Sequence, residues 1–299
     1  MARCVNSYSV VTITFCQEID LLRLQARSFT LYLPPDLIDE IIVIANEPPE
    51  MPVGWQEQVR CAYGSFRSRV RFLTVRDLTN MPLRSGWFTQ QALKLLAAHH
   101  VTTSHYLILD SKNHLVFPYT DYHLPPHGRP RMLMHNYSSH HPLRRYLYNA
   151  LDYFGLPHQV DGFVPTITPF VMPTQLCRDM MQEVAEREQR PFEQTFLQHE
   201  PRLTEFFLFG AYLRTKATFG DYYTAAGMLC TVIWREVAPH IIQVKAALEH
   251  ADKAHVPFFA IHREAFVRFD QPTRQLIAEF WVRRGLFPRL GAALRFLNK

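Results

Sequence analysis

His105-Tyr106-Leu107-Ile108-Leu109-Asp110-Ser111-Lys112-Asn113-His114 is a short apolar run that ends abruptly in an acid, a base and an amide. The unbroken hydrophobic stretch Tyr106 to Leu109 suits a strand buried on both faces of a parallel sheet. The polar residues after it then emerge at the strand's carboxyl end, where open α/β sheets bind ligands. Asp110 and Lys112 are two positions apart, so an extended chain presents them on the same side.

Working outward, Ser9 to Phe15 alternates and is β-branched, which predicts a first strand. Glu18 to Leu33 places Ile19, Leu22, Ala26 and Phe29 near helical spacing and stops before Pro34-Pro35. Glu40 to Ala45 is a second buried strand, ended by Asn46-Glu47-Pro48-Pro49, and Val70 to Val75 is a third. Gly86 to His99 is a helix, and Tyr106 to Asp110 the fourth strand. This alternation predicts an α/β fold with a mainly parallel sheet and right-handed crossovers, flanked by helices. Further on, a strand is expected near Thr166 to Met172 and a helix from Pro173-Thr174. Thr204 is expected to cap a helix that begins with Glu205. A short strand follows at Pro257 to Ile261, then an amphipathic helix at Pro272 to Arg284 closed by Gly285. The stretch from His114 to about Gly162 is rich in Pro, His and Tyr, with one helix near Pro142 to Phe154. The expected organisation is one domain over 1–299, divided into a first half (1–113), an insertion or lid (114–165) and a last half (166–299).

Composition narrows the function. The chain has 299 residues, 47% hydrophobic and 20% charged, with a net charge of +5. A core of ordinary size is affordable to such a chain, and the modest, scattered positive charge gives no reason to expect a nucleic-acid partner. Five cysteines, odd in number and without zinc spacing, predict reduced packing residues. The N-terminus lacks a basic segment followed by a long apolar one, which predicts a cytoplasmic protein. Near the C-terminus, Arg283, Arg284, Arg289, Arg295 and Lys299 alternate with Trp281, Leu286, Phe287, Leu290, Leu294, Phe296 and Leu297. That pattern suits either a helix packed on the body or a peripheral contact with an anionic membrane. The usual glycine-rich dinucleotide, P-loop, nucleophile-elbow and zinc-protease motifs are missing.

Several constellations carry chemistry, each with a plainer alternative. Asp110-Ser111-Lys112 offers a carboxylate and an ammonium to a phosphate, or is a solvated strand-end pair. Magnesium and manganese favour oxygen ligands, so an Asp-x-Asp would suit them and Asp-x-Lys does not. Gln90 and Lys94 share a helix face, as do Trp87 and Gln91, which lines a cleft or merely faces water. Glu205 leads a strongly apolar helix, where a carboxylate serves either as general base or as helix-start stabiliser. His262-Arg263, after an apolar run, suits phosphate or metal contact or a structural role. His135, His140 and His141 lack metal spacing and read as loop.

Taken in order, these pieces resemble the GT-A type of nucleotide-sugar glycosyltransferase. The resemblance runs through Val11-Thr12-Ile13-Thr14-Phe15, Gly86-Trp87-Phe88-Thr89-Gln90-Gln91 and Leu107-Ile108-Leu109-Asp110-Ser111-Lys112-Asn113. It continues through Thr168-Pro169-Phe170-Val171-Met172, Thr204-Glu205-Phe206-Phe207-Leu208-Phe209-Gly210 and Phe259-Ala260-Ile261-His262-Arg263. It is similar to a bacterial family of glycosyltransferase-like proteins without assigned function. The resemblance implies a GT-A-like, Rossmann-like fold and transfer of a sugar from a nucleotide-diphosphate donor to a glycan or lipid-linked acceptor, as in polysaccharide biosynthesis. It implies that the first half binds the nucleotide and the last half faces the acceptor. It implies that Thr14, Gln17, Glu18, Asn46 and Glu47 border the nucleotide, and that Gln90, Gln91, Lys94 and Asn113 face the donor. Asp110 takes the first position of the metal motif, Glu205 stands at the acceptor side as the base, and His262 with Arg263 approaches the diphosphate. Asp110 and His262 would be the ligands of a magnesium or manganese ion. Lys112 departs from the pattern, since many members carry an acid there, so the resemblance fixes no cofactor. The alternatives are a catalytically silent nucleotide- or sugar-binding relative and, last, a nucleotidyltransferase.

Overall fold

The computed structural model describes residues 8–46, 51–81, 86–158 and 160–299. Ten strands occur among them: β1 Tyr8–Thr14, β2 Ile38–Ala45, β3 Val70–Thr74, β4 His105–Asp110, β5 Asn113–Leu115, β6 Arg131–Leu133, β7 Phe170–Pro173, β8 Thr224–Ala226, β9 Cys230–Ile233 and β10 Phe258–Ile261. The main sheet has the order β3-β2-β1-β4-β7. β1, β2, β3 and β4 run parallel, and β7 joins the edge antiparallel to β4. The apolar runs read from the sequence are the inner strands, because a strand covered on both faces needs hydrophobic side chains at every position. Val10, Val11, Ile41, Ile42, Leu107 and Ile108 are fully buried accordingly.

The order matters for position. The chain leaves β1 toward β2 on one side, while β4 lies on the other, so the strand order reverses between β1 and β4. The carboxyl ends of β1, β2 and β4 therefore share one edge, which carries Thr14, Asn46 and Asp110. Such a switch point opens a crevice for ligands.

A second sheet, β5-β10-β9, lies against this edge. Ala260 pairs with Asn113, so the end of β10 arrives beside the Asp110 turn. β9 runs parallel to β10 and ends beside it, with His262 donating its backbone N–H to Ile233 O at 2.9 Å. Tryptophan and histidine close this layer. Trp281 Nε1 donates to His114 Nε2 at 2.9 Å, both residues being buried. Burial pushes the His114 imidazole down to about 4, so it stays neutral and can accept that bond.

Helices cover both faces. The predicted ones are present as Ile19–Tyr32, Trp87–Leu96, Arg144–Tyr153, Thr174–Glu188, Glu205–Lys216 and Gln271–Arg283. Gly285 after the last of these has φ 65°, the left-handed geometry that favours glycine. Thr204 precedes its helix but makes no side-chain cap; its hydroxyl has no partner, and Gln91 Oε1 accepts the Glu205 N–H instead. Within residues 114–165, β5 pairs with β10 and β6 with β8, and Tyr119, Tyr137 and Leu147 are buried in the main core. At the C-terminus Trp281, Leu286, Phe287, Ala293 and Leu297 pack inward in a smaller cluster. Among the described residues no helix is long and apolar enough to cross a membrane.

Candidate active site

The turn after β4 is built before any ligand arrives. Asn113 Oδ1 accepts the Asp110 N–H at 2.8 Å and the Thr168 hydroxyl at 2.7 Å. Ser111 Oγ donates to Ile13 O at 2.9 Å, which ties the turn to β1. Gln25, buried on the first helix, donates through Nε2 to both Asp110 O and Asn113 O at 2.9 Å, and accepts from Thr12 Oγ1 at 3.0 Å. The Asp110 N–H and C=O, the Asn113 C=O and amide and the Ser111 hydroxyl are thus held from beneath, which fixes where the Asp110 carboxylate points.

Above the turn lies a cavity of about 590 Å³. Asp110 and Lys112 line it from β4, Gln90 and Lys94 from the helix Trp87–Leu96, and Glu205 from the start of its helix. Glu18, His262 and Arg263 complete its charged wall. Lys112 Nζ is 2.6 Å from Asp110 Oδ2, and Lys94 Nζ is 2.9 Å from Asp110 Oδ1 and 3.4 Å from Glu205 Oε1. The four side chains form one chain of alternating charge, with 7% of Lys94 and 8% of Glu205 exposed.

Burial alone would raise the Asp110 carboxyl, but the Lys112 and Lys94 ammoniums outweigh it and hold it far below the usual carboxylate range. Glu205 goes the other way. Burial raises it, and its one ammonium contact, longer than that of Asp110, compensates only in part. Burial also raises Glu18, against the pull of Lys112. His262 is depressed by burial and by the Lys112 ammonium. The cleft therefore holds one acid kept ionised, Asp110, two acids with elevated proton affinity, Glu205 and Glu18, and a neutral-leaning imidazole.

Other expected site residues stand elsewhere. Asn113 is fully buried and is the brace of the turn, not a donor contact, because both ends of its amide are engaged below the surface. Gln91 is also buried; its Oε1 serves the Glu205 N–H and its Nε2 has no partner. Thr14 is buried at the end of β1, where its hydroxyl donates to the neighbouring Phe15 O and its carbonyl accepts the Asn46 N–H. Asn46 sits beside it, with neither amide atom partnered although the residue is 6% exposed. Gln17 is exposed and accepts from Arg263 at 3.4 Å. Glu47 lies outside the described residues.

Sequence reasoning gave no site role to Trp234, quoted Thr168 only within a resembling stretch and read His141 as loop, yet all three line the cavity. Lys112 Nζ lies 5.7 Å from the Trp234 ring centroid, and that ring is 5.9 Å from His262. The short β-branched run Thr231-Val232-Ile233 ahead of Trp234 was the available signal. The Thr168 hydroxyl, whose proton goes to Asn113 Oδ1, also lies 3.2 Å from Asp110 Oδ2, on a loop that has no periodicity to betray it.

With this geometry in view, likeness to known proteins becomes informative. The model of a family of unknown function, DUF6492, matches residues 11–262. The chain belongs to that family. No curated protein matches it. Among solved structures it is similar to the galactosyltransferase LgtC in complex with donor and acceptor sugar analogs, at 12% identity and TM-score 0.51, over 94% of this chain and 96% of that one. An active-site mutant of LgtC gives 12% identity and TM-score 0.51, covering 92% and 95%. The bifunctional glycosyltransferase WbbM in its apo form gives 9% identity and TM-score 0.51, over 85% of this chain and 45% of that one. The fold of this DUF6492 member is the GT-A glycosyltransferase fold that its ordered motifs resemble.

The resemblance brings with it a divalent metal on Asp110 and His262, and the residues present do not fit one. Both Asp110 oxygens already face ammonium groups, and His262 Nδ1 accepts the Glu264 N–H at 3.3 Å. Magnesium and manganese take several oxygen ligands, and the only carboxylate this turn offers, Asp110, is flanked by two ammonium groups. Among the described residues no group of three or more His, Cys, Asp and Glu could hold a metal ion.

Proposed function

We propose that this protein is a glycosyltransferase that moves a sugar from a nucleotide-diphosphate donor to a hydroxyl of a glycan or lipid-linked acceptor. The observation that carries the reading is the convergence of Asp110, Lys112, Lys94, Glu205, His262 and Arg263 on one cleft at the carboxyl edge of a parallel sheet.

The chemistry divides between the two sides. Glu205 accepts the proton of the acceptor hydroxyl, whose oxygen forms the new bond to the anomeric carbon. A base is most effective when its proton affinity approaches that of the medium, and burial moves Glu205 in that direction. The bond from the anomeric carbon to the diphosphate breaks, and its electron pair leaves on the diphosphate oxygen. Lys112 and Arg263 face that developing charge as a point charge and a planar fork respectively, and His262 joins them once protonated. Asn46, with both amide atoms unpartnered at the end of β2, is suited to the hydrogen-bonding edge of a nucleobase.

Any contact of the C-terminal segment with an anionic membrane is electrostatic, because its apolar residues are spent inward while Arg289, Arg295 and Lys299 are exposed.

Donor hydrolysis and transfer, followed with and without EDTA in the native protein and in Lys112→Ala, test the assignment. Lys112→Ala is expected to lose transfer at least tenfold; unchanged turnover removes the lysine from the mechanism. Nucleotide-sugar binding without turnover over a broad acceptor panel would instead favour a silent sugar-nucleotide-binding protein.

A further inference from the structure

Lys94 is the least expected charge in the molecule. It lies on the inner face of the helix Trp87–Leu96, beneath the cleft, and its side chain is 7% exposed. A lysine so deep ordinarily gives up its proton, since burial disfavours the charged form. Here burial does pull it down, but the Asp110 and Glu205 carboxylates outweigh that pull and leave the ammonium more firmly protonated than usual. The Phe206 ring, 5.4 Å from Nζ, adds a further face that favours a cation.

The two carboxylates come from different elements, the end of β4 and the start of the helix Glu205–Lys216, and Lys94 is where they meet. Without a cation between them each would raise the proton affinity of the other, and one would be neutral. We infer that the Lys94 ammonium is the resident cation of this site, tethered at the point between Asp110 and Glu205 where a cation serves both, so that the site works without a dissociable metal. Lys94 is thus a positioning residue. It keeps Asp110 and Glu205 apart in charge, whereas Lys112, 18% exposed and on the cavity wall, remains free to turn toward a phosphate.

The charge balance agrees. Asp110 and Glu205 are met by Lys94 and Lys112, so the pairings close before any donor enters. An added divalent ion would bring two positive charges to a carboxylate that two ammonium groups already flank.

The inference rests on the glycosyltransferase reading for its purpose but is tested separately from it. Manganese binding is followed by electron paramagnetic resonance in the native protein, alone and with UDP-glucose or GDP-mannose. The expected result is a free manganese signal throughout. One tightly bound manganese that disappears in Asp110→Asn overturns the inference. In Lys94→Gly, methylammonium is expected to raise the melting temperature and to restore nucleotide-sugar affinity at least fivefold, while the neutral ethanol does neither. Equal effects of the two additives also overturn it.

Where Lys94→Gly does not fold, Lys94→Met/Asp110→Asn/Glu205→Gln removes the three buried charges, leaves the part-exposed Lys112 to turn to solvent, and is expected to fold and melt near the native temperature; a triple variant that also fails assigns Lys94 to packing and overturns the inference. Absence of binding to either nucleotide sugar, together with a free manganese signal and methylammonium stabilisation, overturns the donor reading and leaves the resident cation standing.

Discussion

The two ends of the central sheet each bury a carboxylate, and they satisfy it by different means. At the amino end Glu40 Oε1 accepts from Ser9 Oγ at 2.9 Å and from the N–H and hydroxyl of Thr102 at 2.9 and 3.0 Å, and Oε2 pairs with Arg71 at 2.7 Å. Its partners come from its own sheet and the adjoining loop, and the site is closed. At the carboxyl end Asp110 and Glu205 rely largely on two lysine side chains. Around them the Asn46 amide, Gln91 Nε2 and the Thr204 hydroxyl have no partner. Buried polar groups are nearly always bonded in a settled core. A carboxylate saturated by fixed donors is architecture, and one balanced by ammonium groups beside unspent donors is prepared for a ligand.

That comparison can be broken most sharply at Glu205. Glu205→Gln is expected to lower transfer roughly a hundredfold or more, the usual contribution of a positioned base. Donor affinity and melting temperature should stay close to native, because Lys94 keeps Asp110. A variant with native turnover at saturating acceptor would reassign the base.

The next contrast is in stability. Asp110→Asn takes the nearer carboxylate from Lys94, leaving it only Glu205, and the sole carboxylate partner from Lys112, and is expected to cost about 3–5 kcal/mol in denaturant unfolding. Glu40→Gln should cost less, about 1–3 kcal/mol, by leaving donors of the closed site imperfectly met. Nucleotide-sugar affinity should fall only in the first; a loss in the second would erase the distinction between the two ends.

Proton linkage sharpens it further. Asp110, held below the usual range, contributes stability that is present above the ordinary aspartate value and is lost as pH falls through its folded value. Glu205, held above its usual range, contributes stability present below the ordinary glutamate value and lost as pH rises through its folded value. Melting curves from acid to neutral pH should therefore flatten on the acid side in Asp110→Asn and toward neutrality in Glu205→Gln. The smallest effect concerns His262, which burial and Lys112 hold below the ordinary histidine range. A diphosphate beside it favours its protonation, so nucleotide-sugar affinity should tighten a few-fold as pH falls toward and below that range. His262→Gln should remove that slope, as read by calorimetry.

Much of the fold was legible because the inner strands are short apolar runs with polar stops. Val10 to Thr14, Ile41 to Ala45 and Tyr106 to Asp110 each announce a buried strand and its carboxyl end. β9 was missed although Thr231-Val232-Ile233 is β-branched: unlike β7 and β10, of equal length, it has no proline ahead of it to mark its start. Three residues each give β5 and β6 too little alternation to distinguish from loop. Residue types alone also misjudged Asn113, since a turn amide that braces and one that binds look alike until burial is known. Gln25 gave no signal, although it holds the whole turn through two carbonyls.

The sequence by itself determined the parallel sheet, the edge at which Thr14, Asn46 and Asp110 emerge, and the acid that opens the helix at Glu205. These follow from periodicity and chain direction, which are local properties. Only the tertiary structure decided that Lys94 and Lys112 both claim Asp110, that Lys94 also reaches Glu205, and that Asn113 turns inward. Those outcomes depend on a few ångströms between groups far apart in sequence, where the balance of burial against opposite charge sets what each side chain can do.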